Sequence, residues 1–228
     1  MANIGFRVYM SFERLPRTVV DGFREIATPN IGDSMGRFYA MHPRVKNIGR
    51  PGSKLVGSAL TVKAAPGDNL MVHKAIDIAQ EGDVIVVATG GDLSHSMLGE
   101  IMCRLAALRG IRGFVLDGAV RDVAAIRELG FPVFAAGRTP GGPYKNGPGE
   151  INVPVSCGGV VVNPGDVVVG DDDGVMIIPR QEAEEVLAKA QALAEKERQI
   201  LADLERGLSG DRSWVDKLLV ERGCEIIE

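Results

Sequence analysis

The stretch from Glu81 to Pro132 constrains the fold more than any other part of the chain, because its pattern changes period four times in quick succession. Asp83–Ala88 is an almost unbroken apolar run, as expected of a strand buried on both faces. A polar, glycine-rich turn over Thr89–Ser96 follows. The spacing of Ile101, Leu105 and Leu108 then predicts a helix that begins near Met97–Gly99 and stops at Gly110. Phe114–Leu116 reads as a second buried strand, Asp117-Gly118 as a turn, and Val123–Leu129 as a helix ended by Gly130. Pro132–Ala135 is a third strand. Two consecutive βαβ units of this kind require parallel pairing and right-handed crossovers. In parallel sheets ligands collect beyond the carboxyl ends of the strands. Glu100 and the pair Arg121-Asp122 each follow a strand, so they should face one crevice.

The flanking sequence is read by the same rules. Residues 1–18 are expected to be an N-terminal arm, 19–205 a single α/β catalytic domain, and 206–228 a helical extension. Val19–Ala27 is read as a short helix ended by Pro29, Thr28–Ser34 as a turn, and Ser34–Tyr39 as another short helix. Gly57–Ala64 has the β-branched character of a strand, and Pro66–Asn69 is a turn and cap before a helix over Leu70–Gln80. Three prolines stiffen the glycine-rich stretch Gly137–Gly149, which is read as a functional flap or an interface element. Val160–Val162, Asp166–Val169 and Gly174–Ile178 are strands separated by turns, with Asp171–Gly174 read as a solvated hairpin turn. Gln181–Leu204 carries Val186, Leu193, Ile200 and Leu204 near one stripe of a helix, and Ser213–Arg222 is a last amphipathic helix. The order predicts two packed sheets with helices outside.

Composition narrows the partners. A net charge of −4 with no basic block, and only 5% aromatic residues, argues against a nucleic-acid surface. No run approaches membrane-span length, and the N-terminus lacks the apolar core of a signal peptide. Cys103, Cys157 and Cys224 are far apart and make neither a disulfide framework nor a thiolate zinc site. A reducing cytoplasm is the expected location.

The candidate chemistry centres on three residues. Asp122 suits either an N-cap for the helix Val123–Leu129 or a ligand for a hard divalent cation such as Mg²⁺, which takes one or two carboxylates beside water and substrate oxygens. Glu100 could complement the helix dipole, or hold metal-bound waters by hydrogen bonds. Arg121 could form a surface pair with Glu128 or Asp117, or present its planar fork to a carboxylate or a developing oxyanion. Gly99 allows close backbone approach, and the first-turn N–H groups of Ile101 and Met102 suit an anionic ligand. Together these parts make a site for a small oxo acid and can stabilise an enolate. Asp33, Asp68 and Asn69 are further candidates for the crevice wall, and His95 for either a substrate contact or a plain loop residue. No G-x-G-x-x-G, Walker or G-x-S-x-G pattern is present.

Gly99-Glu100-Ile101-Met102, Asp117–Asp122 (DGAVRD) and Asp171–Pro179 (DDDGVMIIP) resemble the family of ribonuclease E activity regulators and 4-hydroxy-4-methyl-2-oxoglutarate / 4-carboxy-4-hydroxy-2-oxoadipate aldolases, members of which were once named demethylmenaquinone methyltransferases. The resemblance spans roughly residues 20–205, and the acid-x20-Arg-Asp spacing is its specific mark. It implies a swivelling β/β/α-type fold, homotrimers or dimers of trimers, and a divalent-metal (Mg²⁺ or Mn²⁺) pyruvate aldolase site between subunits. By that likeness Asp122 ligates the metal, Arg121 binds the oxo-acid oxygens, and the N–H groups of Ile101 and Met102 hold the pyruvyl carboxylate. Glu100 stands where the motif is often written with Asp. A catalytic glutamate from the neighbouring subunit's C-terminal helix matches Glu197 best, with Glu195 close behind. The regulator branch assembles rings without catalysis, so a non-enzymatic partner of a ribonuclease is the alternative; a methyltransferase is a distant third, for want of a glycine-rich cofactor loop.

Overall fold

In a computed structural model of the chain, which describes residues 3–227, strand β1 (Phe6–Val8) is followed by helices α1 (Arg17–Asp21) and α2 (Thr28–Ser34). Strands β2 (Lys46–Asn47) and β3 (Leu55–Ala64), helix α3 (Leu70–Ile78), and strands β4 (Asp83–Ala88) and β5 (Ser96–Leu98) come next. Helix α4 (Glu100–Leu108), strand β6 (Gly113–Val120), helix α5 (Val123–Leu129) and strand β7 (Val133–Arg138) complete the parallel block. The β-rich part holds β8 (Gly149–Ile151), β9 (Val155–Cys157), β10 (Val160–Val162), β11 (Val167–Asp171) and β12 (Gly174–Ile178). Helices α6 (Ala183–Glu205) and α7 (Ser213–Glu221) end the order.

The expected parallel core is present: β3, β4, β6 and β7 lie side by side and parallel, in a ten-stranded mixed sheet whose main path is β1-β8-β3-β4-β6-β7-β2. A two-stranded sheet, β9-β10, packs on one face, and helices lie outside. This is the mixed α/β class with two sheets, although the sheets are very unequal in size. Strand β4 shows why its sequence is unbroken. Ile85 and Val87 enter the core beneath α3 and α4, while Val84 and Val86 enter a second core against the small sheet. A third cluster, with Phe23, Ile31, Val167, Ile178 and Val186, joins α1, α2 and α6 to the β11-β12 hairpin.

Several local expectations are corrected. Asp117-Gly118 is not a turn but part of β6, at a register shift between Leu116 and Ala119 where β6 leaves β4 and takes up β5. The Asp117 carboxylate accepts the N–H and hydroxyl of Thr89, at 2.6 and 3.0 Å, and so closes the end of β4. Pro29 does not end a helix; it lies in the first turn of α2, where a missing N–H costs nothing. Ser34–Tyr39 is not helical beyond Ser34, because Gly36 and Arg37 turn left-handed at φ 66° and 70°. Met97 belongs to β5, and α4 starts only at Glu100. The Asp171–Gly174 hairpin is present, but its acids are not simply solvated. Asp171 accepts the N–H of Thr28 at 2.8 Å and so caps α2 from outside, and Asp172 accepts the N–H of Gly52 at 2.7 Å. Burial pushes the Asp171 carboxyl up, but Thr28 and Lys54 outweigh it and hold the group below its ordinary value.

Within the segment read as an arm, β1 pairs with β8, and Arg14 grips the buried Asp83 with two hydrogen bonds of 2.8 Å. In α6 only Ala183, Val186 and Ala190 are buried, so the distal part of the expected stripe, Ile200 and Leu204, lies open.

Candidate active site

The site is built where β6 passes into α5 and β5 into α4. Asp122 occupies the N-cap position of α5 with left-handed backbone angles, φ 57° and ψ 36°, yet its side chain does not cap that helix. Its Oδ2 instead accepts the N–H of Glu100, the first residue of α4, at 3.1 Å. The cap reading is therefore corrected in its object: Asp122 serves the neighbouring helix. Its Oδ1 has no partner among the described residues. Gly99 is needed for this approach, since a Cβ there would collide with Asp122 Oδ2 and lie 3.0 Å from Cγ of Arg121.

The backbone of Arg121 is tied to β5, its N–H donating to the Leu98 carbonyl at 3.1 Å. Its Nε lies 3.7 Å from Asp122 Oδ2, both side chains 44% exposed, a loose pair that leaves the fork free. Neither Glu128 nor Asp117 pairs with it. Glu100 is taken up by Arg104 at 2.8 Å, one turn along α4. The N–H groups of Ile101 and Met102 have no acceptor among the described residues, as first-turn geometry dictates.

Two clefts meet at Arg121 and Asp122. The smaller, about 260 Å³, is lined by Ile101, Met102, Asn69, His73 and Lys145 among others. The larger, about 510 Å³, adds Arg138, Thr139 and Pro140. Sequence reasoning passed over His73, Lys145 and Arg138. Arg138 ends β7 and so satisfies the strand-end rule that located Arg121. His73 lies one turn along α3 from Asn69, a relation that becomes informative only once Asn69 is placed in the wall. Burial, then the Lys145 ammonium, lower the His73 pKa against the pull of Asp77, so this imidazole faces the cleft neutral at pH 7. Burial, reinforced by Asp122 and Glu100, pushes the Cys103 thiol up to about 12, which removes it as a nucleophile.

The proline- and glycine-rich segment after β7 forms the roof of the smaller cleft through Gly142, Pro143 and Lys145. It is laced to the turn before α3. The buried Asp68 accepts the N–H groups of Asn146 at 2.5 Å and Leu70 at 3.0 Å, and Tyr144 exchanges backbone hydrogen bonds with Gly67 and Asn69. Asn69 lines the cleft as expected, whereas Asp68 stands behind it. His95 packs on Tyr144 at 5.2 Å with Nδ1 3.7 Å from Asp92, and lines neither cleft. Asp33 is not in this crevice: it pairs with Arg37 and lines a separate depression with Thr28 and Asp173. Glu197 receives the amide of Asn30 at 2.5 Å, and Glu195 pairs with Arg198; neither lines the two clefts within one protomer.

Among the described residues no group of three His, Cys, Asp or Glu converges. Asp122, with a free carboxylate oxygen, and the nearby Glu100 match a hard cation that completes its shell with water and ligand oxygens.

The sequence model of the RraA-like family, described as Aldolase/RraA, matches residues 28–177. A Halalkalibacterium halodurans protein that carries the provisional name 4-hydroxy-4-methyl-2-oxoglutarate aldolase is 40% identical over 200 residues, covering 86% of this chain and 93% of its own length. Among solved structures, an uncharacterized protein from Pseudomonas syringae pv. tomato superposes with a TM-score of 0.78 at 28% identity, over 86% of this chain and 92% of its own. The RNA-processing inhibitor RraA from Thermus thermophilis superposes at 0.63 with 32% identity, over 68% and 93%. Matched through its parallel core, its site segment and its β-rich half alike, the chain belongs to the RraA-like, Aldolase/RraA family.

Proposed function

We propose that this protein is a divalent-metal-dependent pyruvate aldolase, a carbon–carbon lyase acting on 4-hydroxy-2-oxo acids such as 4-hydroxy-4-methyl-2-oxoglutarate or 4-carboxy-4-hydroxy-2-oxoadipate. The observation that carries the reading is the convergence on Asp122: a free carboxylate oxygen, the loosely held Arg121 fork and the open N–H groups of Ile101 and Met102 border one cleft. Asp122, with Glu100 through water, would hold Mg²⁺ or Mn²⁺, which supplies electrophilic polarisation of an oxo-acid carbonyl. The Ile101 and Met102 N–H groups bind the C1 carboxylate at the start of α4. Arg121 donates to the C2 oxygen and stabilises it as charge develops there. A carboxylate base, Glu197 of a neighbouring subunit or Glu100 through water, takes the C4 hydroxyl proton. As the C4 carbonyl forms, the C3–C4 electron pair passes to the C2 oxygen, giving pyruvate enolate and a second oxo acid; protonation at C3 releases pyruvate. The same enolate chemistry predicts oxaloacetate decarboxylation. A homotrimer or dimer of trimers would bring Glu197 to the cleft.

The second reading, a ring-shaped regulator that binds a ribonuclease, is favoured by the Thermus likeness. A coupled pyruvate-release assay with 4-hydroxy-4-methyl-2-oxoglutarate and oxaloacetate, with and without EDTA, decides between them. Release abolished by EDTA and restored by Mg²⁺ is expected. No release from either substrate favours the regulator, and release that survives EDTA sinks the metal mechanism.

A further inference from the structure

The face of the sheet turned away from α4 and α5 carries a separate cavity of about 280 Å³, which shares no residue with the two clefts at Arg121 and Asp122. It opens where β4 ends, the kind of place at which parallel sheets collect ligands. Alternation along the strands sets what it contains. Val115 and Phe134 point into the core beneath the small sheet, and two residues further on Asp117 of β6 and Ala136 of β7 line the cavity. The opposite wall is the turn His42–Val45. That turn is closed by the Val45 N–H on the His42 carbonyl at 2.9 Å, and the His42 N–H ties it to the β9-β10 hairpin through the Gly158 carbonyl at 2.7 Å.

The charged groups in this wall are unpaired. Asp117 is half-buried; its Oδ1 serves Thr89, while Oδ2 accepts no hydrogen bond among the described residues. Arg44 is exposed at the rim, and its guanidinium has neither an ion pair nor a hydrogen bond among the described residues. Gly90 and Gly91, directly after β4, also line the cavity, and their N–H groups have no acceptor among the described residues. His42 Nδ1 accepts the Arg44 N–H at 3.1 Å, which leaves Nε2 as the donor of a neutral ring.

We infer that this cavity binds a free α-amino acid with a small side chain, its carboxylate on Arg44 and the Gly90 and Gly91 N–H groups, its ammonium on Asp117 Oδ2. A plain anion of that size would answer Arg44 but set a second negative charge beside Asp117, and a plain amine would do the converse. A zwitterion answers both, and each contact is charge-assisted. The volume lies below the roughly 300–1,000 Å³ of pockets for drug-sized ligands, and the remaining side chains in the wall, Val45 and Ala136, are apolar. None of these residues belongs to the proposed aldolase machinery, so the two readings stand or fall separately.

The test is a ligand-observed NMR titration of the full chain, without metal, using alanine, propionate and ethylamine. Propionate is alanine without its ammonium, and ethylamine is alanine without its carboxylate. Alanine is expected to bind more tightly than either by about ten- to a hundredfold, the range of one charge-assisted hydrogen bond. Arg44→Gln and Asp117→Asn are each expected to weaken alanine by about tenfold or more. Arg44 lies on the surface, and asparagine at 117 keeps the oxygen that receives Thr89, so neither change opens the core. Arg121→Gln is expected to leave alanine binding unchanged. No binding of alanine, binding no tighter than that of propionate, or full affinity in either the Arg44 or the Asp117 variant overturns the inference. Loss of alanine binding in Arg121→Gln would place the amino acid in the clefts at Asp122 and overturn it as well.

Discussion

Asp122 holds a left-handed backbone that costs most L residues about 1–2 kcal/mol and that Asp and Asn tolerate best. Asparagine can therefore replace it with the fold intact, because its amide oxygen can still accept the Glu100 N–H. What it cannot supply is the negative charge. Asp122→Asn is expected to change stability by less than about 1 kcal/mol, a few degrees in Tm, while pyruvate release falls by roughly a hundredfold or more. A thermal melt beside steady-state kinetics checks this. If the variant melts early but turns over normally, the carboxylate was only a helix cap. At this scale the sequence was legible in residue type and spacing but not in partnership. Asp122 and Gly99 were both marked out, yet the bond from Asp122 to Glu100 spans 22 positions, and the steric need for Gly99 exists only once β5 and β6 lie together.

Elements with a strong pattern were read correctly, as β4 and α5 show, because burial on both faces or a full helical stripe leaves few alternatives. Misreadings fell where a local signal was overruled by a distant group. Pro29 was taken for a stop although Asp171, far along the chain, receives the Thr28 N–H and lets a helix start there. The segment after β7 was read from its prolines as a flap or an interface element, and it does line a cleft, but its anchor, Asp68, was not foreseen. Burial raises the Asp68 carboxyl, and the N–H groups of Asn146, Leu70 and Gly147 more than reverse this, leaving it below the ordinary value of 3.8. A depressed carboxylate contributes stability that is present above 3.8 and is lost as pH falls through the lower folded value. Asp68→Ala strands buried N–H groups and is expected to cost about 1–3 kcal/mol. In paired melts, the Tm gap between wild type and Asp68→Ala should stay constant from neutral pH down to the ordinary carboxylate range and narrow only below it. A gap that already closes near neutrality would show that Asp68 is not the anchor.

Across the whole molecule, the residues proposed for catalysis do not all meet in one protomer. Glu197 sits by Asn30, away from both clefts, while α4 leaves Ile101, in the wall of the smaller cleft, 80% exposed. The resemblance to the aldolases implied a glutamate from a second subunit, and nothing in one chain's pattern could reveal that, since a residue used by a neighbour looks like any surface residue at home. Co-expression of Asp122→Asn with Glu197→Gln tests the arrangement. Each variant alone is expected to be inactive. In a cyclic assembly mixed at random, about a quarter of the interfaces would pair an intact Asp122 with an intact Glu197 and recover that share of activity. Mixed assemblies as inactive as their parents would place both residues in one protomer's site, and a Glu197→Gln protein that turns over normally by itself would remove Glu197 from the reaction.

The register shift in β6 has a consequence for how such a gene can vary. Side chains on a strand alternate between faces, so the irregularity between Leu116 and Ala119 sets the parity of everything up to Arg121. Losing or gaining a single codon there would not trim a loop. It would exchange inside for outside at Val120 and Arg121, burying the guanidinium and exposing the core. A length change in the segment after β7 would redraw the walls of the clefts and strain its hold on Asp68, but it would leave untouched the bend that aims the arginine.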